Sequence, residues 1–247
     1  MQSDEEGFCY PAVNRDKCVD CGICNIVCPM LNQSQAHRPL LSLAYKNPSE
    51  TERLRSSSGG LFIELANCII SQQGVVFGVT YDANWMPVHS YADNKEDIRA
   101  FMGSKYVQSR IGNSYAYAKR FLREGRIVLF SGTPCQIAGL KAFLGKDYDN
   151  LITIEIMCHG VPSPGVWKDY ISKICPKGID GQNTVLSSMD NPPLRRIKIR
   201  FCCLNTPLLN NGPRRIPICR LFLAMSFCVR LVIIANINPA RVVQTSL

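Results

Sequence analysis

A chain of 247 residues that is 46% apolar and 19% charged has the length for one large or two small globular domains, and its composition excludes a disordered or fibrous protein. The net charge of +9, from 28 Lys and Arg against 19 Asp and Glu, is the kind of excess that accompanies nucleic acid or an anionic membrane. Here the excess falls entirely after Asp190, where Arg195, Arg196, Lys198, Arg200, Arg214, Arg215, Arg220, Arg230 and Arg241 meet no acid and residues 1–190 balance, so no nucleic-acid partner is expected.

The start, Met1-Gln-Ser-Asp-Glu-Glu6, is acidic where a secretory signal is basic and then apolar. The expectation is a cytoplasmic protein whose 13 cysteines serve metal or redox chemistry in place of disulfides.

In chain order, residues 9–30 are dense in cysteine and poor in apolar periodicity, which predicts a small metal module. Within it Cys18-x2-Cys21-x2-Cys24-x3-Cys28-Pro29 has the spacing that wraps a backbone around a 4Fe–4S cluster. Zinc is the competing reading, but zinc sites bring ligand pairs from separated segments. In two-cluster ferredoxins the fourth cysteine of such a run serves the other cluster. Either Cys18, Cys21, Cys24 and Cys28 all hold one cluster, or the run is half of a pair; Cys9 is an alternative ligand or an ordinary turn residue.

A polar connector broken by Pro39 and Pro48 leads to Ser56-Ser-Ser-Gly-Gly60. Leu61, Leu65, Cys68 and Ile69 then mark one face of a helix that stops at Gly74, and Val75–Val79 reads as a buried strand. Helices are expected at Glu96–Gln108, Asn113–Glu124, Gln136–Leu144 with Gly145 as C-cap, and Pro164–Ile174; strands at Arg126–Ser131 and Leu151–Met157. That alternation predicts βαβ units on a parallel sheet. Ile216–Ile237 is apolar enough to pass for a membrane span, but Arg220 and Arg230 interrupt it and no membrane partner is expected.

The Ser–Gly run opens a helix, where free backbone N–H groups and hydroxyls can meet a phosphate or merely cap the helix. Gly132-Thr-Pro-Cys-Gln136 follows a strand and starts a helix, which puts the Cys135 thiol at the positive end of a helix dipole; an inert buried thiol is the alternative. His37 and His89 have no chemical context and are expected on the surface.

Five blocks stand in order: Cys18-V-D-C-G-I-C-N-I-V-C-P29, Ser56-S-S-G-G60, Gly103-S-K-Y-V-Q-S109, Phe130-S-G-T-P-C-Q136 and Met157-C-H-G-V-P-S163. In them the chain resembles the coenzyme F420 hydrogenase/dehydrogenase beta-subunit family, iron–sulfur flavoproteins, over residues 7–175. The resemblance implies an α+β or α/β architecture: a ferredoxin-like 4Fe–4S module (1–35), a linker (36–55), an α/β flavin domain (56–190) and a basic apolar tail (191–247). It implies FAD bound by Ser57, Ser58, Gly59, Gly60, Ser104, Lys105, Tyr106, Gln108, Ser109, Thr133 and Gln136, with Cys135, Cys158 and His159 as candidate catalytic residues. Electrons then pass to or from a redox partner protein or a small hydride carrier such as coenzyme F420, the chemistry residing in the cofactors. The alternatives are a non-enzymatic 4Fe–4S carrier or inactive remnant, and a membrane-anchored ferredoxin.

Two departures from the family pattern carry expectations of their own. Asp4–Pro11 looks like the connector that follows a first cysteine run, so the N-terminus reads as cut. Residues 176–247 lack the expected L-R-P-S-C-x-x-C and D-x-T segments. Codons for Phe227–Leu247 permit both one frame over, so the tail reads as shifted out of frame from between Lys177 and Arg215. On this reading Cys135 and Cys158 are two ligands of a second cluster whose other pair is lost, and Cys202, Cys203, Cys219 and Cys228 are accidental.

Overall fold

The computed structural model describes residues 1–32 and 41–174, with the backbone of 184–188 and 199–203. The chain opens with a small hairpin, β1 (Gln2–Ser3) and β2 (Cys9–Tyr10), followed by a 3-10 turn at Arg15–Lys17 and the single-turn helix α1 (Ile23–Ile26). None of residues 1–32 is buried, so this part has no apolar core of its own. It meets the rest of the chain backbone to backbone: a Cβ added to Gly7 (φ +88) would lie 2.6 Å from the Gly165 nitrogen.

Beyond residue 40 the elements are α2 (Glu50–Arg55), α3 (Leu61–Ser71), β3 (Val75–Tyr81), β4 (Pro87–Ala92), a 3-10 turn at Asp97–Phe101 and α4 (Ser114–Arg123). Then follow β5 (Val128–Gly132), α5 (Pro134–Leu144), β6 (Leu151–Glu155), α6 (Pro164–Ile174), and the backbone hairpin β7 (Thr184–Ser188) and β8 (Ile199–Cys203). The main sheet has the order β4-β3-β5-β6. β3, β5 and β6 are parallel as expected, whereas β4 pairs antiparallel with β3 at the edge, Val76 opposite Ala92 through Tyr81 opposite Pro87.

Strand alternation sorts the core into two faces. Val75, Phe77, Val128 and Phe130 pack with Ala118, Phe121 and Leu122 of α4 and Ile137, Leu140 and Leu144 of α5. Val76, Leu129 and Ile154 point the other way, onto Ile63, Ala66 and Ile69 of α3 and Ile98 and Phe101. The result is a sheet covered by helices on both faces, and Phe77 and Phe130, fully buried and stacked at 5.1 Å, each stabilise it by about 2–3 kcal/mol through burial. α5 starts with a capping box between Thr133 and Gln136 and ends at Gly145 in the left-handed conformation (φ 71), as its sequence predicts.

Two segments differ from expectation. Of the helix expected at Glu96–Gln108 only the Asp97–Phe101 turn forms. Gly103 turns left-handed (φ 79), and Lys105 Nζ donates to the carbonyls of Ala100 and Met102 at 3.0 and 2.8 Å, satisfying the groups a longer helix would use. The loop then runs along β4, Arg110 N–H donating to the Pro87 carbonyl and His89 N–H to the Arg110 carbonyl, both at 2.9 Å. The expected linker, in turn, contains α2, which Ser49 caps by accepting from Glu52 N–H. His37 and the Ile216–Ile237 stretch lie outside the described residues; among those described, no helix is long and apolar enough to cross a membrane.

Candidate functional site

The four cysteines of the first block occupy an exposed loop around α1. Cys18, Cys21 and Cys24 are exposed and Cys28 is half-buried, all as free thiols. Asp20 (φ 50) and Gly22 (φ 69) take left-handed conformations that turn the chain sharply between Cys18 and Cys24, and Asn32 Nδ2 donates to the carbonyls of Asn25, Ile26 and Cys28 to close the loop. Among the described residues no three His, Cys, Asp or Glu side chains come together as a metal-holding group, so the thiols do not converge in this conformation. The donor set nevertheless fits a cluster in its chemistry. Thiolates repel one another until iron neutralises them, and metal binding and loop closure are one event in small metal modules.

The second set of residues lies at the α2–α3 junction. Ser57 is half-buried and Ser58 exposed, and α3 begins at Gly60 (φ 80) with no side-chain cap on its first N–H groups. The two glycines are accounted for by the chain itself: a Cβ on Gly59 would lie 2.4 Å from the Tyr45 carbonyl oxygen, and one on Gly60 would lie 2.9 Å from the Asn47 side chain. Asn47, 2% exposed, pins the loop. Its N–H donates to the Gly59 carbonyl at 2.7 Å, its amide donates to the Gly60 carbonyl at 3.1 Å, and its Oδ1 accepts from Ser49 N–H at 2.8 Å.

A third set gathers where parallel strands end, the edge at which open α/β sheets bind ligands. Gly132 of β5 and Glu155 of β6 are partners in register; Cys135 and Cys158 each follow three residues later, both exposed. Cys135 Sγ lies 3.1 Å from Thr133 Oγ1, and His159 is exposed beside Cys158. Ser163, ending that block, caps α6 by accepting from Val166 N–H at 3.1 Å.

Ser109 and Gln136 meet directly, Gln136 Nε2 donating to Ser109 Oγ at 2.9 Å, and Gln136 Oε1 accepts from Thr133 N–H at 3.0 Å. Ser109 also bonds His89 Nδ1 at 3.2 Å, and His89 Nε2 reaches the Ser131 carbonyl at 3.2 Å. This corrects the surface placement expected for His89: it is 7% exposed, because β4 turns it inward onto Phe130, ring centroids 5.5 Å apart. Burial pulls its pKa down to about 4, so the imidazole is neutral. Motif reading misses Asn47 and His89; Asn47-Pro-Ser49 is a legible turn-and-cap signal, whereas Pro87–Ala92 does not alternate in polarity and gives no strand signal.

In the Gly103–Ser109 loop, Ser104 and Tyr106 are half-buried, burial draws the Lys105 amine down to about 7, and Gln108 Oε1 is buried with no hydrogen-bond partner. A buried acceptor left without a donor is costly, and that orphaned oxygen, with the uncapped start of α3, is what makes these residues fit a polar cofactor. The Glu52–Arg99 pair at 3.4 Å ties α2 to the turn that leads into this loop. A cleft of about 280 Å³ near Arg110 and Tyr117 is lined by His89 but by none of the residues expected to bind the cofactor.

Residues 10–35 match a 4Fe–4S binding domain family, in agreement with the cysteine spacing of that segment. Residues 125–185 match the family that describes the C-terminal part of the coenzyme F420 hydrogenase/dehydrogenase beta subunit. Over those residues the chain is similar to the coenzyme F420 hydrogenase/dehydrogenase beta-subunit family. No curated protein matches it. Among solved structures it is similar to a chain of the F420-reducing NiFe hydrogenase complex from Methanosarcina barkeri, with 16% identity and a TM-score of 0.42. That similarity covers 58% of this chain and 54% of the other.

Proposed function

We propose that this chain is a cytoplasmic iron–sulfur flavoprotein that passes electrons between a 4Fe–4S cluster and FAD, to or from a partner protein or a small hydride carrier such as coenzyme F420. The observation that carries the reading is the presence, on one chain, of a 4Fe–4S domain at 10–35 and a hydrogenase beta-subunit domain at 125–185. When bound, the flavin supplies the exchange between single electrons from the cluster and a hydride at the partner.

Cys18, Cys21, Cys24 and Cys28 hold the cluster as thiolates. Ser57, Ser58 and the uncapped N–H groups behind Gly59 and Gly60 suit the phosphates of FAD, since a helix N-terminus favours negative charge. Ser104, Lys105, Tyr106, Gln108, Ser109, Thr133 and Gln136 bind and orient the rest, with Lys105 held in place by its bonds to the Ala100 and Met102 carbonyls. Cys135, Cys158 and His159, exposed at the strand ends, face the side from which a redox partner approaches.

The test is anaerobic reconstitution of the full chain with iron, sulfide and FAD, followed by iron and flavin analysis. About four irons and one FAD per chain are expected, with flavin bleaching when the cluster is reduced. Iron without flavin overturns the proposal and leaves a 4Fe–4S carrier.

A further inference from the structure

The hydrogen bonds around His89 have one consistent direction, and it ends on two side chains of the proposed flavin site. The Ser131 carbonyl can only accept, so His89 Nε2, 3.2 Å away, carries the ring proton. The buried, neutral ring then presents Nδ1 as a bare acceptor, and Ser109 Oγ, 3.2 Å from it, turns its single proton inward. From the other side, Thr133 N–H donates to Gln136 Oε1 at 3.0 Å. That fixes the amide, so Gln136 Nε2 is the group that donates to Ser109 Oγ at 2.9 Å. The stack on Phe130, 14° from parallel, and the Ser114 Oγ bond to the His89 carbonyl at 3.2 Å hold the histidine in place.

We propose that His89 is a positioning residue that locks Ser109 as a hydrogen-bond acceptor beside the Gln136 donor, so that this paired edge recognises the adjacent N–H and C=O groups of an imide on a redox ring. The inference rests on the flavin reading above and names the part of the ring that is read. Ser109 Oγ has given away its proton and accepted one bond, which leaves one lone pair; Gln136 Nε2 keeps one N–H. Acceptor and donor therefore stand side by side, the complement of N3–H and its neighbouring carbonyl on an isoalloxazine. A ring without that N–H meets a lone pair it cannot satisfy in a half-buried site, the situation in which polar recognition discriminates most strongly.

Riboflavin and 3-methylriboflavin differ at that N–H, so both are titrated against the full chain by flavin fluorescence. The native chain is expected to bind riboflavin about tenfold more tightly. His89→Phe keeps the ring stack but frees the Ser109 hydroxyl to rotate, and the preference disappears. His89→Asn restores an acceptor where Nδ1 stood and keeps it. Equal binding of the two flavins by the native chain, or a preference that survives in His89→Phe, overturns the proposal.

A second readout needs no flavin. With 3 histidines in the chain, long-range ¹H–¹⁵N spectra of ¹⁵N-histidine-labelled protein resolve the His89 tautomer. Neutral Nε2–H is expected, and Nδ1–H overturns the lock. Failure of both flavins to bind overturns the ring recognition together with the flavin reading, and the tautomer then tells that failure apart from failure of the lock.

Discussion

Protonating the His89 ring would bury a charge among Phe130, the Ser131 carbonyl and the Ser109 hydroxyl, and the loss of water outweighs the help that the Ser131 carbonyl gives the charged ring. The folded chain resists, which is why the pKa falls from 6.5 to about 4. Below 6.5 the unfolded chain takes up a proton that the folded chain refuses, so the stability His89 contributes is whole above 6.5 and is lost as the pH falls toward 4. The shift corresponds to about 3 kcal/mol. Urea unfolding followed through Trp85 and Trp167 is expected to show this loss in the native chain, with a smaller loss in His89→Phe; parallel curves for the two would show that His89 titrates as it does when unfolded. Sequence alone puts His89 on the surface because a lone histidine gives no sign of its surroundings. Its burial follows from β4, a strand set by pairing with Val76–Tyr81, and pairing partners distant in sequence leave no local mark.

Among the elements, those with both ends punctuated were legible. α3, α4, α5 and α6 fall where apolar spacing, Gly74 and Gly145 put them, since local propensity and burial agree there. The 96–108 segment failed because Gly103 and the Lys105 contacts outweigh its helical spacing. The Ser–Gly block of the proposed flavin site is visible in the sequence, yet what requires Gly59 and Gly60 is Tyr45 and Asn47, residues of a stretch that reads as connector. A comparable close approach joins the N-terminal hairpin to α6. A Cβ on Gly165 would stand 2.5 Å from the Glu6 carbonyl oxygen, and backbone on both sides cannot give way cheaply. Gly165→Ala is therefore expected to undock the hairpin. Strands of two residues do not persist alone, so the Asp4 and Gly7 amides, which bond the Phe8 and Asp4 carbonyls at 2.9 and 3.0 Å, should exchange several-fold faster. The Val128 amide, in the central sheet, should not change. Unaltered exchange at Asp4 and Gly7 would mean that the contact holds nothing.

At the scale of the whole molecule, the chain divides its sources of stability. Residues 41–174 carry two apolar faces around one sheet, whereas residues 1–32 contain no fully buried residue and expose Val19, Ile23, Ile26, Met30 and Leu31, each at 58% or more. A segment of that kind is ordered by a bound metal group or by its neighbour, not by its own core. Cys21→Ala, or chelation of iron from the reconstituted chain, is then expected to abolish the visible cluster absorbance and to raise amide exchange across residues 18–28. The unfolding midpoint of the sheet domain should move by no more than about 2 °C, because the mutation touches none of its core and a change of 1 kcal/mol there would shift a domain of this size by about that much. A larger fall would show that the cluster module and the sheet unfold as one cooperative unit. The hairpin contact at Gly165 would then be the coupling between them, and Gly165→Ala should decouple the two transitions.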